Sequence, residues 1–176
     1  MDALKIIGLC VAAAIVYGVV HDQVTARVCI EYFTIGHPPV FATESPTLLG
    51  IGWGILATWW VGLLLGAPLA FAAVRGPWPR RSVGSLMKPI GVLLACMGVA
   101  ALVAGVIGFV VAGEGWVFLL EPLASRVPSE RHAAFIADLW AHSASYLVGF
   151  VGGVVLINRV WRSRRPRRTG ATLSMR

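Results

Sequence analysis

Charge is what this chain has least of. Asp, Glu, Lys and Arg supply 13% of its 176 residues, while 57% are hydrophobic. A soluble domain of this size carries about a quarter charged residues, so a water-covered surface around one apolar core is excluded. Cysteine is limited to Cys10, Cys29 and Cys96. That odd number, with no paired spacing, excludes a disulfide framework and a cysteine-rich zinc module. No Gly-rich loop follows a strand pattern, so nucleotide binding has no support. Ten-residue alternating strands, the mark of a membrane barrel, are missing. So are His-Glu-x-x-His and Glu-x-x-His, two helical metal signatures.

Long apolar runs are abundant instead. Four reach the roughly 20 residues that a bilayer crossing needs: Ala3 to Val20, Leu48 to Val74, Pro89 to Ala112 and Ala133 to Ile157. Backbone in lipid must satisfy its own hydrogen bonds, so these runs read as helices. The expected fold is all-α, an integral membrane four-helix bundle over residues 1–160. Two polar outer segments, about 21–46 and 113–131, interrupt it, and a basic tail follows at 161–176.

The net charge of +7 is unevenly placed. Lys5, Arg75, Arg80, Arg81, Lys88 and the run from Arg159 to Arg168 flank one set of helix ends. Only Arg27, Arg126 and Arg131 fall in the other two loops. By the positive-inside rule both termini and the 75–88 loop are cytoplasmic, which predicts the plasma (inner) membrane. The basic tail reads as disordered and as an anchor for anionic lipid. It lacks the aromatic platforms of a nucleic-acid binder, and no nucleic acid is expected. Seven of the eight acidic residues and all four histidines lie toward the outer side.

Local signals refine this frame. Val24-Thr25-Ala26 resembles a small-residue cleavage site, so removal of the first segment as a signal peptide is an alternative. Asp2 and the length of the apolar stretch oppose it. The first helix can continue beyond lipid to about Phe33, and His37-Pro38-Pro39 ends it. Ser45-Pro46 reads as the start of the second crossing. Trp53 fits an interfacial anchor, with Trp59 and Trp60 deeper. Gly91, Gly98 and Gly105 share one face of the third helix. Gly62 with Gly66 and Gly149 with Gly153 form further close-packing faces, which also suit homo- or hetero-oligomers. Trp116, Phe118, Leu119 and Leu120 make the segment Gly113 to Glu130 apolar enough for a short interfacial helix or re-entrant piece, and Ser129-Glu130 predicts a cap for the fourth helix.

The chemistry concentrates in two places. His21-Asp22 ends the first apolar run, with Glu31 and His37 beyond it. Asp138 and His142 lie one turn apart near the start of the last run. At about 1.5 Å per residue, His21 measured from Lys5 and His142 measured from Arg159 both lie about 24 to 26 Å from the inner interface. Equal height predicts that the first and fourth helices bring these groups together. Burying Asp138 in lipid without a partner costs about 3 kcal/mol, so these side chains should face inward.

Three uses compete. Imidazole and carboxylate together suit a divalent transition metal such as zinc, iron or copper, with ligands from His21, Asp22, Glu31, His37, Asp138 and His142. His21 and His142 are alternatively axial haem ligands or a quinone site. The third use is structural: ion pairs such as Asp138 with Arg27 or Arg131 fix helix register in a non-catalytic or assembly subunit. A proton or solute pathway is a further alternative. The metal reading leads, with oxidoreductase or hydrolase chemistry at an outward-facing site. Ser143 is adjacent to His142 and cannot face it on a helix, which opposes a Ser-His nucleophile pair. Cys29 has no partner for redox chemistry.

Overall fold

A computed structural model describes residues 2–165. All regular structure among them is helical: α1 (Asp2–Val28), α2 (Ile30–Thr34), α3 (Pro46–Leu56), α4 (Trp59–Val74), α5 (Val83–Gly113), α6 (Leu123–Arg126) and α7 (His132–Arg164). A single 3-10 turn, Ser129–Arg131, precedes α7. Four helical stretches are long and apolar enough to cross a membrane: Asp2–Val28, Pro46–Val74, Val83–Gly113 and Ser129–Arg164.

The helix ends follow local chemistry. Ser45 caps α3, its Oγ accepting from the Leu48 N–H, and Pro46 takes the first helical position where no donor is needed. α5 begins at Val83, six residues before the expected Pro89, because Ser82 caps it through the Ser85 N–H. At its far end Gly115 adopts φ +74°. There the Trp116 N–H reaches Val111 O at 2.9 Å and the Gly115 N–H reaches Ala112 O at 3.1 Å, a Schellman closure. Ser129 does not cap α7 as expected. Its hydroxyl meets Glu130 Oε2, and Arg131 occupies the cap position without a side-chain bond. The apolar stretch after α5 holds only the four-residue α6, with Trp116, Phe118 and Leu120 exposed beside it.

Two interruptions shape the interior. Cys29 takes an extended conformation and separates α1 from α2, which turns Tyr32 and Phe33 inward. Ala57-Thr58 separates α3 from α4, where the Thr58 hydroxyl donates to Gly54 O at 2.5 Å. Such back-bonding bends helices.

α1 packs along α3 and α4, and α5 packs along α7. The two pairs meet where α4 touches α7 and where α1 touches α5. Small residues decide how closely α1 and α3 approach. A Cβ on Gly54 would stand 2.5 Å from Val19 Cα, and one on Gly18 would stand 2.6 Å from Gly54 O. Gly62 and Gly66 meet α1 in the same way, as their spacing predicts. The α5 glycines divide: Gly105 faces α7, whereas Gly91 and Gly98 have nothing within 4 Å. The helix that covers Gly105 does not reach the Gly91 and Gly98 positions.

Apolar cores close both ends of the molecule. Ile6, Leu69, Ala73, Leu86 and Val160 gather the start of α1, the end of α4, the start of α5 and the end of α7. Cys29, Phe33, Leu49, Trp53, Leu119 and Phe135 form the opposite core. Trp53 is therefore not an exposed anchor. It is 8% exposed, with its ring against His37 and Phe41. Trp59 and Trp60 point outward instead, at 45% and 48% exposure.

α7 continues past Ile157 and takes Trp161 to Arg164 out of the expected tail. Arg164 is buried, and its guanidinium donates to the carbonyls of Ala72, Arg75, Trp78 and Pro79 at 2.6 to 3.0 Å. It thereby ties the α4–α5 turn to the end of α7. Residues 166–176, the rest of the predicted disordered, lipid-anchoring tail, lie outside the described residues.

Candidate metal centre

Three of the six expected ligands come together. His21 and Asp22 arrive from the C-terminal half of α1, and His142 from α7. One ligand atom from each lies within 4.8 Å of the others. His142 Nε2 is 3.2 Å from Asp22 Oδ1, and the His21 and His142 rings meet edge to face with centroids 4.5 Å apart. His21 Nε2 is buried and has no hydrogen-bond partner among the described residues.

The surroundings of His142 impose a condition on its charge. Nδ1 lies 2.8 Å from the Asp138 backbone oxygen, one turn earlier on α7. Both ring nitrogens thus face oxygens, one a carbonyl and the other a carboxyl. A neutral imidazole has only one N–H. If Nδ1–H donates to the carbonyl, Nε2 presents a lone pair to Asp22. A proton or a cation must then stand between Nε2 and Oδ1. Burial makes that demand firm, because two facing acceptors screened from water repel each other strongly.

Aromatic rings enclose the group. Tyr32 stacks on His142 with centroids 4.5 Å apart. Tyr17 stacks on His21 at 5.8 Å, and its hydroxyl is 2.7 Å from Ser145 Oγ. Neither tyrosine belongs to the residue set expected from sequence. Tyr17 was accessible in principle, since it precedes His21 by four residues and shares its helix face. Tyr32 was not, because its position depends on the break at Cys29.

The other three expected ligands are placed differently. Asp138 is buried on the same side of α7, with Oδ2 unpartnered among the described residues. It pairs with neither proposed arginine. Arg27 instead donates to Gln23 and to Thr47 Oγ1, and Arg131 to Glu31 Oε2 at 3.1 Å and Val28 O at 2.8 Å. Glu31 is therefore held in an ion pair across 100 residues of sequence. Burial pushes its carboxyl up, but its own backbone N–H, the Cys29 thiol and the Arg131 guanidinium outweigh that and hold it below the usual glutamate range. Cys29 donates to Glu31 Oε2 at 3.3 Å, and burial first, then Glu31, pushes its thiol up to about 12. His37 turns Nδ1 to Tyr32 O at 2.8 Å and packs on Trp53. Ser143 points away and bonds Leu139 O.

The haem alternative fails on space. Axial imidazoles must aim their nitrogens at an iron between them, with the macrocycle plane separating the rings. Rings in edge-to-face contact leave no gap for that plane. Below the polar group, all four long helices line a cavity of about 150 Å³ that runs toward Leu156 and Ile157. No family model matches the chain, and neither a curated protein nor a solved structure matches it.

Proposed function

We propose that the chain is an integral membrane bundle, with both termini and the Arg75–Arg81 turn cytoplasmic, that binds a divalent transition metal at His21, Asp22 and His142. Zinc, iron and copper are the ions this donor set suits. The observation that carries the reading is the pair of oxygens facing His142. They call for a positive species between Nε2 and Asp22 Oδ1. Two atoms bound to one ion at about 2.0 to 2.2 Å and at ordinary angles lie about 3.0 to 3.5 Å apart. The observed 3.2 Å falls in that interval. The Nδ1 contact with Asp138 O is the outer-shell bond that metal-bound imidazoles commonly make. His21 Nε2, buried without a partner, is the third donor.

Two imidazoles and one carboxylate leave coordination positions open, which suits oxidoreductase or hydrolase chemistry. A bound ion would supply Lewis acidity or a redox couple there. Tyr32 excludes water from the outer side. Asp138, with one carboxyl oxygen unpartnered among the described residues, is available to hold a proton. Glu31 and His37 act from the outer cap, Glu31 through Arg131 and His37 through Tyr32.

The chain's partners are the lipid bilayer and, at its inner basic side, anionic lipid. Arg81, Lys88 and Arg159 border one groove between α5 and α7, which supports that assignment. The open Gly91 and Gly98 stripe supports contact with a further helix.

The competing reading puts a proton where the metal would sit, so that Asp22 and His142 only fix helix register. Elemental analysis of purified protein loaded with zinc or iron separates the two. The metal reading expects about one ion per chain and its loss in His142→Ala. Metal-free wild type after loading, with His142→Ala simply less stable, would establish the structural role instead.

A further inference from the structure

A long groove runs between α5 and α7. Its α7 wall takes every fourth residue, Ser163, Arg159, Val155, Val151 and Leu147, which form one stripe of the helix. Its α5 wall is Ser85, Lys88, Val92 and Cys96, three or four apart on one face. Polarity divides both walls at the same level. Arg81, Lys88 and Arg159 stand at the end near the α4–α5 turn, with the Ser85 and Ser163 hydroxyls among them. Beyond Lys88 and Arg159 the lining is apolar except for the Cys96 thiol. Arg81 Nη2 donates to Ser163 Oγ at 3.0 Å, and that hydroxyl gives its own proton to Val160 O at 2.9 Å. Arg81 is thereby held across the mouth of the groove. No carboxylate lines the groove, and none pairs with these three cations among the described residues.

Length and volume point the same way. From Arg159 to Leu147 the groove follows α7 for about 18 Å. One leaflet contributes about 15 Å, half of a hydrocarbon core of about 30 Å. A methylene takes about as much space as a water molecule in the liquid, so a chain of about sixteen carbons needs about 500 Å³. The groove holds about 930 Å³.

We infer that this groove seats one anionic phospholipid, with its phosphate at Arg81, Lys88 and Arg159 and an acyl chain along Val155, Val151 and Leu147. A zwitterionic head would bring a fourth cation to the three already there. Free phosphate would gain nothing from the apolar length. A second copy of the chain in the same orientation would bring its own three cations to the same level. The seat turns the anionic lipid proposed above from a surface attraction into one bound molecule. It rests on the membrane reading and is independent of the metal.

The test uses the full chain in neutral detergent with equal amounts of phosphatidylglycerol and phosphatidylcholine of matched chains, and native mass spectrometry counts the retained lipid. Wild type should keep one phosphatidylglycerol per chain, preferred on the order of a hundredfold, since each cation near an anionic head contributes about fivefold. Replacing Arg81, Lys88 and Arg159 together by Gln should abolish the preference. Replacing Arg75, Arg80 and Arg162 by Gln removes the same charge outside the groove and should leave it. Val155→Trp keeps every cation, obstructs the apolar half and should release the lipid. Equal loss in the two triple variants would overturn the seat and leave a diffuse attraction to anionic lipid. Undiminished retention in Val155→Trp, or a dimer that carries no lipid, would also overturn it. Recovery of the expressed chain in the soluble fraction of cells would end the membrane reading itself, and the seat with it.

Discussion

Asp22 and His142 are 120 residues apart in sequence and 3.2 Å apart in space, and the imidazole between them and Asp138 O meets an acceptor on each side. A shared proton or a bound cation would satisfy the facing pair. Much of the behaviour of this region follows from what that species is.

Asp22→Asn separates charge from shape. An amide of the same size can donate an N–H to His142 Nε2, so the contact survives without a cation. The variant should unfold within about 1 kcal/mol of wild type and lose its metal. Asp22→Ala, which leaves the imidazole unpaired, should cost about 3 kcal/mol. Thermal unfolding in detergent and elemental analysis read both. Equal destabilisation by Asn and Ala would mean that the negative charge itself holds the helices.

Glu31 and Arg131 should make the contact between α2 and the turn before α7 acid-sensitive. The Glu31 carboxyl lies below its ordinary value in the fold. Its contribution is therefore fully present above the unfolded glutamate range and is lost as pH falls through the folded value. Arg131 is more than a third exposed, so screening limits the effect to about 1 kcal/mol or less. Melting temperature should fall on acidification below that range, and Glu31→Gln should flatten the dependence. An unchanged profile in Glu31→Gln would rule out a role for the pair in acid sensitivity.

Glycine should matter by location rather than by spacing. Gly54→Ala places a methyl 2.5 Å from Val19 backbone atoms, where nothing flexible can give way. It should cost about 1 to 3 kcal/mol. Gly98→Ala enters open space and should be neutral or stabilise by up to about 1 kcal/mol through helix propensity. Paired denaturation curves check this. A large loss at Gly98 would instead reveal a helix from another chain seated there.

Arg164 should anchor the α4–α5 turn to the end of α7. Removing it in Arg164→Ala leaves four carbonyls without their donor, including the buried contact to Ala72 O at 2.6 Å. A loss of about 3 kcal/mol is expected, since hydrogen bonds to a charged group contribute about 1.5 to 3 kcal/mol. Arg164→Lys should recover little, because an ammonium cannot span the fork of carbonyls that a planar guanidinium reaches. Full stability in Arg164→Lys would show that charge alone suffices.

What the chain decides without tertiary contacts is what depends on sums along it. Hydropathy accumulates residue by residue, so four crossing-length helices were legible, as was the start of α3 at Ser45-Pro46. Axial height is also a sum, and counting from Lys5 and Arg159 brought His21 and His142 to one level. Rotation about a helix axis is not a sum. It depends on which neighbour fills which groove, and on two interruptions that no run of apolar residues announces. The break at Cys29 swings Tyr32 over His142, and the bend at Thr58 lets α3 and α4 follow α1 through Gly18 and Gly54. Those rotations gave Glu31 to Arg131, turned His37 onto Trp53, left Gly91 and Gly98 bare and drew Arg164 into the interior. Only packing in three dimensions could choose them, because each choice compares contacts between residues far apart in the chain.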